Sequence, residues 1–201
     1  MGNPFTLSGA NIVVLARNYN PSIVSKEWLY GKSIIKEAVT SFIHTPPLSV
    51  VETEQISFIL DENRLQVSLK NITIENIEIL PKVAIDFVSY LPETPFVAVG
   101  FNYKYHIPKG NSLLNTLFQP DDVKLTALFG ENCEVGQIVS FAFQEFVVRM
   151  SAPPAKDEAT RITVELNFHS DCHGVDEIKE RLESHRVTME KAEEILRGLS
   201  K

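Results

Sequence analysis

Cysteine is scarce. Cys133 and Cys172 are the two in 201 residues, too few and too widely spaced for a disulfide framework, so both read as reduced thiols of a cytoplasmic protein. No stretch approaches the ~18 consecutive apolar residues of a membrane-spanning helix. No membrane partner is therefore expected, and because the N-terminus lacks the basic segment and apolar run of an export signal, neither is secretion. Basic residues are in deficit: 19 Lys and Arg against 26 Asp and Glu leave a formal net charge of −7, spread along both halves of the chain. With no basic stripe to neutralise phosphates, nucleic acid is not expected as a partner. Gly-x-Ser-x-Gly, glycine-rich phosphate loops, His-Glu-x-x-His and Cys-x-x-Cys are all missing, which removes the usual grounds for a cofactor or a named catalytic chemistry.

What is present is material for a core. Hydrophobic residues make up 44% of the chain and twelve are Phe, which suits a single compact unit over residues 1–201. Residues 11–16 read as a buried strand. Asn20 and Pro21 then cap and open a short helix through Trp28 and Leu29, and residues 48–51 form a strand after Pro46-Pro47. Ile56, Phe58 and Leu60 alternate with polar residues, Asp61-Glu62-Asn63 turns, and Leu65, Val67 and Leu69 alternate back, which is a hairpin. Pro81 opens a helix with apolar Val83, Ala84, Phe87, Val88 and Leu91 at helical spacing.

The second half restarts with a strand over residues 96–105, a short helix around Leu113 to Phe118 and a strand over 123–129. A long bent strand is predicted over 138–150, a loop over 152–160, and an alternating strand through Ile162, Val164, Leu166 and Phe168. Residues 174–199 are helical. The order strand, helix, several strands, helix thus occurs twice, and Val13 to Tyr19 aligns with Val97 to Tyr103 at a spacing of 84. The fold class expected is α+β: a curved antiparallel sheet with helices on one face. Residues 10–92 and 96–200 would be two β-α-β(3-4)-α repeats, in a helix-grip or TATA-binding-protein-like layout.

Three patterns are candidates for function. His169, Asp171 and His173 project to one side of an extended chain at two-residue steps, a set that could chelate a transition metal. The simpler reading is a strand end followed by a helix cap. Tyr103, Tyr105, Phe141 and Phe143 sit at strand period and would either line a ligand cavity or fill the core. Val175, Ile178, Leu182, His185, Met189, Ala192, Leu196 and Leu199 make a 3-4 seam, with a break near 184–188. Either the chain's own sheet covers that seam or a second copy does, which would make a homodimer through the C-terminal helix.

Residues 11–29, with Arg17-Asn18-Tyr19-Asn20-Pro21-Ser22-Ile23-Val24 followed by Trp28-Leu29, resemble the opening of a group of uncharacterised prokaryotic proteins of this size. The resemblance implies a bacterial or archaeal cytosolic protein and supplies no activity. The function expected is therefore non-catalytic binding or assembly. The alternative is a small-molecule-binding or metal-assisted hydrolytic enzyme with a cavity between the sheet and the C-terminal helix.

Overall fold

Alternation of apolar and polar side chains, the mark of a strand with one dry face, recurs along much of the described chain. The computed structural model describes residues 4–108, 136–152 and 161–199, without the side chains of residues 74 and 75. The strands are β1 (Thr6–Ala16), β2 (Ser41–Thr45), β3 (Leu48–Glu52), β4 (Ile56–Asp61), β5 (Arg64–Leu69), β6 (Phe96–Pro108), β7 (Gln137–Phe143), β8 (Phe146–Ala152) and β9 (Arg161–Asp171). They form one nine-stranded sheet in the order β2-β3-β4-β5-β1-β6-β9-β8-β7, and every pairing is antiparallel. The fold is α+β.

A 3-10 turn (Pro21–Ile23), α1 (Lys26–Gly31), α2 (Ile74–Ile77), α3 (Ile79–Ser89), α4 (Val175–Glu183) and α5 (His185–Leu199) complete the described elements. One sheet face is dry. Ile12, Val14, Phe58, Leu60, Leu65, Val67, Phe101, Tyr105, Val148 and Phe168 lie on it and are fully buried. Onto that face α3 lays Leu80, Ala84, Phe87 and Val88, and α4 and α5 lay Ile178, Leu182, Ala192 and Leu196. At ~1.5–3 kcal/mol per buried large side chain, this layer is the main source of stability. Among the described residues no helix packs on the other face. There the alternate side chains Asn11, Asn102, Asn167 and Arg149 are half-buried or exposed.

Local chemistry sets the punctuation. Asp61 Oδ1 accepts the Asn63 amide at 2.9 Å, fixing the β4–β5 turn, and Ser25 Oγ caps α1 by accepting Trp28 N at 3.0 Å. Gly174, at φ 94°, turns the chain from β9 into α4 in a region that favours glycine. The one helix expected through Trp28 is two pieces, because Asn20 caps only the 3-10 turn. The long strand expected over 138–150 is the β7–β8 hairpin, Phe143 paired with Phe146 and Gln144 at φ 50°. The C-terminal helix breaks at Ser184, whose amide turns back to Arg181 O. The elements expected over 113–118 and 123–129, most of the 152–160 loop, and Cys133 lie outside the described residues.

The letter match at a spacing of 84 does not join equivalent positions. Tyr19 lies beyond the end of β1, whereas Tyr103 is in the middle of β6. The match also sets outward Leu15 on inward Val99, exchanging the faces of the sheet.

Candidate functional site

Strand register gathers residues far apart in sequence into one row on the open face. Reading across the sheet, the directly opposed residues are Ser41, Glu52, Ser57, Ser68 and Asn11, then Asn102, Asn167, Arg149 and Ser140. Every strand thus contributes a hydrogen-bonding side chain at the same level. Ser57 donates to Glu52 Oε1 at 2.6 Å, and Lys70 Nζ holds Glu52 Oε2 at 3.1 Å. In the centre Asn102 Nδ2 donates to Asn11 Oδ1 at 2.8 Å, and Asn167 Nδ2 donates to Asn102 Oδ1 at 2.7 Å. Each of these amides keeps one N–H beyond the ladder, and both Asn11 N–H groups are uncommitted in it.

Beside the ladder lies a depression of about 330 Å³. Gly9 lines it, and a Cβ there would stand 3.2 Å from Lys104 Cβ, so glycine permits close approach of β1 to β6. Lys104 and Glu165 are paired across β6 and β9 at 3.4 Å. Arg149, at the end of the amide ladder, makes no hydrogen bond or ion pair among the described residues. The site is therefore rich in donors, carries a cation with no counter-charge paired to it among the described residues, and is lined also by Ser151.

Of the residues singled out from sequence, Tyr103 also borders the depression, and the rest fall elsewhere. Tyr103 and Tyr105 are buried in the core between sheet and helices. Phe101, Phe143, Phe146 and Phe168 meet there in ring contacts of 5.6–6.3 Å, and Phe141 packs against the same core. These aromatic side chains pack with one another in the layer between sheet and helices. The Tyr103 hydroxyl lies 2.8 Å from Thr188 Oγ1 and 3.0 Å from the His185 carbonyl oxygen. The Tyr105 hydroxyl is buried with no hydrogen-bond partner among the described residues. Burial raises both phenols above their ordinary range.

His169 and Asp171 come together, Nε2 to Oδ1 at 3.1 Å, on the outward side of β9. His173 lies past the strand end, and its amide donates to Glu177 Oε2 at 2.7 Å, closing the first turn of α4. Among the described residues no three His, Cys, Asp or Glu side chains converge as metal ligands. The Cys172 thiol donates weakly to Ser170 O at 3.6 Å, and burial pushes it up, away from the nucleophilic thiolate.

The polar row escapes sequence reading because Asn11, Asn102 and Asn167 are 91 and 65 residues apart. The available signal was asparagine in mid-strand, where it is ordinarily depleted. Among the described residues no helix is long and apolar enough to cross a membrane. No protein-family model matches the chain, and no curated protein resembles it at a significant level.

Proposed function

We propose that this is a non-catalytic binding protein whose working surface is the open face of the sheet, centred on the Asn11–Asn102–Asn167 ladder. One observation carries the reading: a continuous row of hydrogen-bonding side chains whose central amides retain donors. A purely solvated face needs no such alignment, whereas a ligand laid across the strands meets one polar group roughly every 4.8 Å. The enzyme alternative lacks comparable support among the described residues: His169 meets only Asp171, the Ser49 hydroxyl that meets His44 Nδ1 at 2.8 Å is fully buried and also bonded to the Pro21 carbonyl oxygen, and burial keeps the Cys172 thiol protonated. The test is a ¹⁵N NMR screen of polar small molecules, read at the asparagine side-chain amides. Binders should shift Asn102 and Asn11, and Asn102→Leu should abolish the Asn11 shift while the melting temperature stays within a few degrees. Binders that instead cluster on the helical face would refute the reading.

Two further elements belong to the proposal. The first is internal duplication over residues 10–92 and 96–200, in a helix-grip or TATA-binding-protein-like layout. In each half the last strand returns beside the first, β5 to β1 and β9 to β6, and a helix follows. Setting Asn11 on Asn102 keeps inward residues inward, as a two-fold repeat requires. The second is a cytosolic, prokaryotic setting: Cys172 as a free buried thiol suits a reducing cytosol, and the prokaryotic part rests on the resemblance of residues 11–29 alone.

A further inference from the structure

We infer that the Arg149 end of the polar row is an oxyanion-binding site, taking a group with two or more acceptor oxygens such as a carboxylate or a phosphate ester. The inference rests on the reading of the open face as a binding surface and assigns its ligand chemistry.

Arg149 presents a planar fork of donors that no described group engages. Directly beside it Asn167 retains an N–H after donating to Asn102, and Asn102 retains one after donating to Asn11. Guanidinium and amide donors spaced across adjacent strands suit an acceptor that is itself forked. Glu165, the acid that lines the depression, is paired with Lys104 at 3.4 Å and makes no ion pair with Arg149. The protein's net charge of −7 would repel anions at long range. At physiological ionic strength that field decays over about 8 Å, and the local cation decides. The depression of about 330 Å³ leaves room for the remainder of a small metabolite over Gly9.

The test is a titration of the full chain with inorganic phosphate and, separately, succinate, at constant ionic strength with chloride as control. The readouts are the Arg149 Nε–H and the Asn102 and Asn167 side-chain amides. Saturable shifts in at least one arm are expected, weakened tenfold or more in Arg149→Gln and less in Arg149→Lys. The stronger arm then identifies whether phosphate or carboxylate is the natural group. No saturable shift, or shifts equal in Arg149→Gln, overturns the oxyanion site. If neutral ligands from the screen still move Asn11 and Asn102, only the oxyanion assignment falls. If nothing moves the row in either experiment, both readings fall.

Discussion

His185 occupies a seam position where the helical period calls for a hydrophobe. Its ring packs 5.4 Å from Phe101 and 5.7 Å from Tyr103, and neither nitrogen has a hydrogen-bond partner among the described residues. Burial alone lowers its pKa from 6.5 to about 4. A histidine whose folded pKa is depressed is neutral in both states at high pH, so it carries no penalty there. Below 6.5 the unfolded chain takes a proton that the folded chain refuses until about 4, and stability drains over that window. At about 1.4 kcal/mol per pH unit, the loss attributable to this residue is roughly 3 kcal/mol. Urea unfolding from pH 7.5 to 4.5 should show that fall, and His185→Phe should flatten it by most of its depth. An unchanged slope in the variant would mean that carboxylates elsewhere carry the acid sensitivity.

At the scale of elements, the seam on α4 and α5 is covered by the chain's own sheet and by α3, with Ile178, Leu182, Ala192 and Leu196 fully buried. Leu182→Asp would place an unpaired charge in that dry layer, which exceeds what ordinary substitutions cost. Thermal unfolding is expected to show a protein unfolded or close to it at 25 °C. Deletion of residues 174–201 should leave an aggregating remnant by sedimentation. A folded remnant of halved mass would mean instead that the helix held two copies together. The helix was legible because a 3-4 repeat names its own buried face, and the β4–β5 hairpin because alternation is interrupted only by Asp61-Glu62-Asn63. The β7–β8 hairpin was not, since Gln144-Glu145 carries no glycine, proline or asparagine to mark the turn. Nor was β2, whose residues are mostly exposed at the sheet edge and give no apolar alternation. The polar row was illegible for a different reason. Register between strands belongs to long-range pairing, so no local window holds Asn11, Asn102 and Arg149 together.

For the whole molecule, the question is whether residues 10–92 and 96–200 are one folding unit or two. Among the described residues the main contacts that join them are the β1–β6 pairing at the centre of the sheet and the packing of α3 on α4 over its dry face. Separated halves would each expose a long central strand as an unpaired edge, with Ile12 and Val14 on one and Phe101 and Tyr103 on the other losing part of their cover. A half-sheet covered only by its own short helices buries too little apolar surface to offset the ordering of about ninety residues. Each fragment, expressed alone, is therefore expected to be aggregated or to lack a cooperative melt by circular dichroism. Mixing the two from denaturant should restore a single cooperative transition and a 1:1 complex by sedimentation, because β1 and β6 specify one another in register. Should either half melt cooperatively alone, the chain is two domains that share a sheet. Its ancestry by duplication would then be the simpler account of the matching strand paths.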